Sequence, residues 1–149
     1  MEAPEQIHPT SLRDYFQVLS RAVFQSGMSW RVIDAKWSGM LEAFHEFDPE
    51  TVARLSPDDI DALAANPRIV RNRRKIEATV ANANTMLDIA REHGGFKQYL
   101  DSIDGFELRS ADLKKRFRFL GDFGAYYFLY VVGEPVPGHE EFRQRHMRR

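Results

Sequence analysis

The chain reads as an all-α protein. Three observations predict it: apolar residues recur at helical spacing, Ser, Asp and Asn stand where helix caps belong, and strand-like alternation is nearly absent. Ser11 caps a first helix, with Asp14 near the positive end of its dipole and Tyr15, Phe16, Leu19 and Val23 on one face. Gly27 permits a turn. Ser29 then caps a second helix whose stripe is Ile33, Trp37, Met40, Leu41 and Phe44. Asp48-Pro49 and Ser56-Pro57 each join a cap to a first-turn proline, so each starts a short helix. Asn66-Pro67 breaks the chain.

A long helix is predicted over about residues 71–92, with Ile76, Val80, Ala83, Leu87 and Ala90 on one face and Gly94-Gly95 ending it. A shorter helix covers 96–100, and Asp104-Gly105 makes a turn. Ser110 is read as the cap of a helix over 111–117. A hairpin at about 117–125 leads into an aromatic helix over 125–132. Residues 133–138 are too rich in Gly and Pro for regular helix, and the polar tail 139–149 is expected to fray. The prediction is a compact, helix-hairpin-helix-like helical domain spanning 1–149, with about seven helices.

At 149 residues and 43% apolar content, the chain fits one domain with a real core. No apolar run approaches the ~20 residues of a membrane span. The N-terminus lacks the basic start and apolar stretch of a secretion signal. A cytoplasmic monomer with no membrane partner is expected. Cysteine is absent, which excludes disulfides and thiolate metal sites. The five histidines show no tight ligand spacing, so neither metal nor cofactor is expected. A net charge of −1 excludes a wholly basic nucleic-acid binder but leaves room for a local basic patch.

Such a patch stands before the hairpin. Leu120-Gly121-Asp122-Phe123-Gly124 has the pattern of a helix-hairpin-helix turn. Gly121 and Gly124 allow unusual backbone angles and close approach by a ligand, while Leu120 and Phe123 would anchor the turn in the core. Amides at the start of the next helix suit a phosphate. Lys114, Lys115, Arg116 and Arg118 add positive charge, and together these groups would hold a DNA backbone without reading sequence. The same pattern fits an ordinary connection between two core helices, and Asp122 brings a charge that repels phosphate. A second basic cluster holds Arg68, Arg71, Arg73, Arg74 and Lys75. It is either a solvated helix start or a further phosphate contact. Arginine at a helix N-terminus opposes the dipole, which hints at a purpose beyond stability and makes Arg71, Arg73 and Lys75 candidates.

Trp30 opens the second helix. An enzyme acting on a base must extrude it from the duplex and hold it by stacking and edge contacts. Trp30 offers the aromatic face, with Gln25 and Ser29 beside it; the alternative is a core tryptophan like Trp37.

Gln25, Gly27, Ser29 and Trp30 match the Gln-x-Gly-x-Ser-Trp motif of the DNA-3-methyladenine glycosylase I family, with Met28 in place of leucine. Lys36, Phe44, Phe47 and Asp48 fit its downstream pattern. Ile69, Lys75 and Ile76 fit its middle, and Leu113 to Arg116, Phe119 and Gly121 fit its hairpin approach. The chain resembles that family from about Tyr15 to Val132.

The resemblance implies a repair enzyme that flips an alkylated purine out of double-stranded DNA containing a damaged base and hydrolyses its N-glycosidic bond. Trp30 would line the base pocket. Two departures stand out. The family's pocket glutamate falls on Ala22, and its zinc-binding cysteines and histidine are missing, although His139 matches one former ligand. Glu140 follows the 133–138 loop, where other helix-hairpin-helix glycosylases carry a catalytic aspartate. It would stabilise an oxocarbenium ion or orient water, or else it is a solvated tail carboxylate. A cationic alkylated base is already a good leaving group, so positioning can matter more than a strong acid or base. The alternative function is a non-catalytic DNA-binding module that has lost base recognition.

Overall fold

Helix α1, Leu12–Gln25, begins at Ser11, whose hydroxyl accepts the Asp14 N–H. The structure, a computed structural model, describes residues 3–147. Helix α2, Trp30–Ala43, runs back from the Gly27 turn. Three consecutive residues with positive φ, His45, Glu46 and Phe47, then reverse the chain. This left-handed turn drives Phe47 into the core, stacked on Trp37 (5.2 Å) and Phe44 (5.2 Å). Helix α3, Pro49–Ala53, and α4, Pro57–Ala64, start at the two cap–proline pairs. A reciprocal Ser56–Asp59 capping box closes the start of α4.

Helix α5, Arg73–His93, is the central element, packed against α1, α3, α4 and α6, Phe96–Asp101. It is buried on more than the predicted stripe. Ile76, Thr79, Asn82, Ala83, Met86 and Ile89 are buried, whereas Val80, Leu87 and Ala90 are half-buried. A single amphipathic stripe underestimates a helix with neighbours on several sides.

Helix α7, Phe106–Arg116, begins earlier than expected. Ser110 is buried inside it and caps nothing; Gly105, at φ +90°, makes the entry. Phe106 draws this turn inward by packing edge-on against Tyr126 and Phe142. Helix α8, Asp122–Val131, lies against α1 and α7.

The predicted fraying tail is largely helix α9, His139–Met147; residues 148–149 lie outside the described residues. Phe142 fixes it, being 1% exposed and stacked on Tyr126 at 4.4 Å. One hydrophobic cluster joins α1, α2, α5, α6 and α8. Among the described residues there is no strand, and no helix is long and apolar enough to cross a membrane.

Candidate functional site

The end of α1, the start of α2 and the first half of α8 meet at one place. A Cβ built on Gly124 would lie 3.8 Å from that of Ala22 and 3.0 Å from Leu120 Cδ1. The bare glycine therefore lets α8 approach α1 closely. Gly27, at φ +74°, turns the chain between α1 and α2. The Ser29 hydroxyl accepts the Val32 N–H at 3.3 Å, so this candidate base-contact residue serves as the cap of α2.

Trp30, the first residue of α2, is half-buried. Its ring lies 5.5 Å from that of Tyr127, tilted by 58°. The Arg21 guanidinium sits 5.8 Å from the Trp30 ring and 5.0 Å from the Trp37 ring, and pairs with Asp34. Trp37 is the core tryptophan; Trp30 is a wall between core and solvent.

Arg21 and Gln25 lie one turn apart on α1, hence on one face. Arg21 Nε and Gln25 Oε1 are buried and find no partner among the described residues, as does Ser20 Oγ. An unpaired buried polar atom costs about 1–3 kcal/mol, so this face of α1, which places Arg21 against the Trp30 ring, holds an orphan donor and an orphan acceptor. Burial chiefly raises the Tyr127 phenol above its ordinary pKa, with Arg21 acting in the opposite direction. Tyr127 is thus a neutral hydroxyl at neutral pH.

Ala22 itself is 1% exposed and faces Gly124. Sequence inspection singled out Gln25 and Trp30 but missed Arg21, Asp34 and Tyr127. Arg21 is detectable only by its helical spacing from Gln25, and Tyr127 lies in an aromatic run that reads as core.

The two basic clusters divide. Lys75, a candidate phosphate contact, is turned into the fold: it is 5% exposed, and its ammonium donates to the carbonyls of Phe24 (3.0 Å) and Ser26 (2.6 Å). Desolvation pushes its pKa below the usual lysine value. Arg73 is exposed and pairs with Asp61, while Arg71 and Arg74 are exposed without an ion pair among the described residues.

Before the hairpin, Lys114 pairs with Asp122 and Arg116 with Asp112 at 2.9 Å. Lys115 and Arg118 stay exposed, with no ion pair among the described residues. Asp122 therefore draws Lys114 to itself, and His146 Nε2 lies 3.3 Å from its other oxygen. Gly121 is the N-cap of α8 and brings no capping side chain.

Two expectations for the hairpin are corrected. Phe123 is 52% exposed and, among the described residues, its ring contacts are edge-type with Phe142 and His146, so of the two predicted anchors Leu120 is the one in the core. The unusual backbone angle belongs to Phe119, at φ +58°, while Gly121 has φ −98° and Gly124 lies within regular helix.

Glu140 lies in the exposed first turn of α9, 3.9 Å from Arg143. Nothing holds it towards Trp30. The residues do not fit the family's zinc. Cysteine is absent, His139 packs edge-on against Tyr126, and no group of three potential ligands occurs among the described residues. A cleft of ≈ 600 Å³ lies between the N-terminal segment and α6. Its buried carboxylate, Glu134, is already held by Lys97 at 2.7 Å and faces Arg109 at 3.8 Å, and none of the base-contact candidates lines it.

Residues 8–111 match the family model described as methyladenine glycosylase. The chain belongs to the methyladenine glycosylase family. It is 33% identical over 130 residues to the DNA-3-methyladenine glycosylase of Haemophilus influenzae, covering 73% of this chain and 70% of that protein. DNA-3-methyladenine glycosylase 1 of Escherichia coli is 26% identical over 145 residues, covering 83% of this chain and 78% of that one. The 3-methyladenine DNA glycosylase I of Staphylococcus aureus, solved in a study of 3-methyladenine recognition, superposes with a TM-score of 0.76. It is 31% identical, with 87% of this chain and 80% of that chain covered. A variant 3-methyladenine DNA glycosylase I in complex with 3-methyladenine gives the same TM-score and identity over 87% of this chain and 81% of that one. The family match covers α1 and α2, which carry Gln25 and Trp30, while α8, which carries Tyr127, lies outside it.

Proposed function

We propose that the protein is a DNA repair glycosylase that extrudes an alkylated, 3-methyladenine-like purine from duplex DNA and hydrolyses its N-glycosidic bond. One observation carries this reading: Trp30 is held half-buried at the start of α2 by Tyr127 and Arg21, beside the unpaired donor and acceptor of Arg21 and Gln25. An aromatic wall with unsatisfied polar groups is what a flipped base requires. The α7–turn–α8 unit serves as a helix-hairpin-helix, with Lys115 and Arg118 supplying free charge and Gly121 letting a phosphate approach the first turn of α8.

In the reaction, water adds to the sugar C1′ and gives up a proton to solvent as the bond from C1′ to the base nitrogen breaks, and the cationic base leaves neutral with the bonding electrons. A cationic alkylated base departs readily, so orientation does most of the work. This reading needs no carboxylate at Ala22 and assigns no role to Glu140. We further propose a cytoplasmic monomer. Among the described residues the exposed large apolar side chains, Val32, Leu108, Phe119 and Phe123, are too few for an obligate interface.

The test is base release from alkylated duplex DNA, with product identification, for the wild type and Trp30→Ala. Release of 3-methyladenine by the wild type, strongly reduced in the variant, supports the enzyme. Duplex binding without release by the wild type leaves a DNA-binding module.

A further inference from the structure

The charges around Trp30 are uneven. In the last two turns of α1 and the first two of α2, Arg21, Arg31 and Lys36 are cationic, and Asp34 is the only carboxylate. Ala22 adds no charge, and the Lys36 ammonium is spent on the Pro67 carbonyl at 3.0 Å. A neutral base is nearly indifferent to this balance, whereas a base with a positive charge is not.

Asp34 is placed to answer such a charge. It stands four residues after Trp30 on α2, so the two share a face, with Cβ atoms about 5–6 Å apart. Helical side chains lean towards the N-terminus, which carries a carboxylate at this position back over the turn that begins with Trp30. Arg21 ties the two together. Its guanidinium donates to Asp34 Oδ1 and lies 5.8 Å from the centre of the Trp30 ring. Behind the dominant effect of burial, Arg21 and then Asp34 act in opposite directions on the Tyr127 phenol, so both charges are felt at the ring that leans on Trp30.

The pairing does not use up the carboxylate. The Asp34 side chain is 62% exposed against 21% for Arg21, and only its Oδ1 has a partner among the described residues. An ion pair with one side so exposed adds little to a fold. Its open oxygen is left for a ligand.

The ligand's chemistry follows from the sign. Alkylation of a ring nitrogen in a purine still joined to its sugar leaves that base positively charged, and undamaged purines are neutral. A carboxylate one turn from the Trp30 wall favours the first over the second. Without it, the remaining charges of Arg21 and Arg31 repel the cation.

We propose that Asp34, held by Arg21, is a specificity-determining residue of the base site: its carboxylate attracts the positive charge of the alkylated purine and so separates it from an undamaged one. This deepens the reading that the Trp30 site takes an alkylated base, and rests on it.

The experiment measures kcat/KM for 3-methyladenine release from alkylated duplex. Beside it, affinity is measured for a duplex carrying 3-deaza-3-methyladenine, in which carbon replaces a ring nitrogen and the same shape carries no charge. Asp34→Asn removes the charge and keeps the size; Asp34→Glu keeps the charge. Glu42→Gln neutralises another exposed, ion-paired carboxylate of α2 and controls for the general gain in DNA affinity. All three variants are expected to melt as the wild type does. Asp34→Asn should lower kcat/KM about tenfold, and Asp34→Glu should retain most of the wild-type value. On the neutral-base duplex, Asp34→Asn should match Glu42→Gln. Release by Asp34→Asn at the rate of Glu42→Gln overturns the proposal. Equal losses of release and of neutral-base affinity also overturn it, because Asp34 would then act on the shape of the site through Arg21 and not on charge. A folded wild type that releases no base from alkylated duplex overturns the proposed function itself, and this proposal with it.

Discussion

The Lys75 ammonium donates a 2.6 Å hydrogen bond to the Ser26 carbonyl, joining the first turn of α5 to the turn that leads into Trp30. A second bond, to the Phe24 carbonyl, satisfies another acceptor at the C-terminal end of α1. There a cation also complements the helix dipole. Lys75→Met keeps the length of the stem and removes the donors. It should destabilise the fold by about 2–4 kcal/mol, because two acceptors lose their partner. Base excision should fall with it, since the Gln25–Trp30 turn loses its tie. The salt slope of duplex binding should not change; urea unfolding and a salt titration check the two halves. A slope reduced by one phosphate contact would make Lys75 a DNA ligand after all.

The cations before the hairpin should not be equivalent. Lys114 and Arg116 are engaged by Asp122 and Asp112, whereas Lys115 and Arg118 have no ion pair among the described residues. Replacing Lys115 and Arg118 together by alanine should reduce the magnitude of the salt slope by about two phosphate contacts. Replacing Lys114 and Arg116 should have the smaller effect on slope. The opposite ranking, measured by fluorescence anisotropy over a salt series, would show that DNA displaces the two carboxylates and that the ion pairs do not decide the surface.

How far the sequence reveals this protein depends on the range of the interaction concerned. Ser11, Ser29, Asp48-Pro49 and Ser56-Pro57 announce helix starts because a cap acts on residues within one turn. Helix α9 is hidden because its anchors are long-range: Phe142, its one buried side chain among the described residues, stacks on Tyr126 of another helix. The beginning of α7 is obscured for the same reason, since Phe106 packs on those two residues. At the site, the motif around Trp30 is legible as a string. The fate of Lys75 is not, because an exposed lysine and one spent on carbonyls across the fold look identical in sequence. Left-handed Phe119 is likewise invisible without Asn82, whose side chain clamps the turn from α5.

Stability should fall in alkali, and the tyrosines set the direction. Tyr99 donates to Asp112 and is held far above its ordinary value, first by burial and then by that hydrogen bond. Burial also raises Tyr15, Tyr126 and Tyr127. The native state keeps phenolic protons that the unfolded chain loses, so their contribution is present below about pH 10 and is lost as pH rises through the folded values. Lys97, raised by its bonds to Glu134 and Asp101, acts in the same direction. Lys75 opposes them: its folded value lies below the ordinary one, so stability rises with pH between the two. The expected profile is a Tm that falls above about pH 10, with a weaker fall in Tyr99→Phe. Thermal melts followed beside tyrosinate absorbance test it. A Tm that rises through that range would mean that the lysine effect dominates.

Trp30 should matter more to base handling than to the fold. It is half-buried, its ring leans on Tyr127, and Arg21 lies near it. Removing a fully buried aromatic costs about 3–5 kcal/mol; a partly exposed one at a helix start should cost roughly 1–2 kcal/mol, in proportion to the apolar area it buries. Stacking on a flipped base offsets part of the few kcal/mol spent on extruding it, and its loss should slow excision about tenfold or more. Trp30→Ala is therefore expected to remain folded and to bind undamaged duplex with the wild-type salt slope, which depends on phosphates, while losing most base release. Trp30→Phe should recover part of the rate, because a smaller ring still stacks. Excision rates, thermal unfolding and duplex affinity measured on the same two variants separate a base wall from a core residue. If Trp30→Ala melts as a core deletion does, and binding and excision fail together, Trp30 belongs with Trp37 and the base must stack elsewhere.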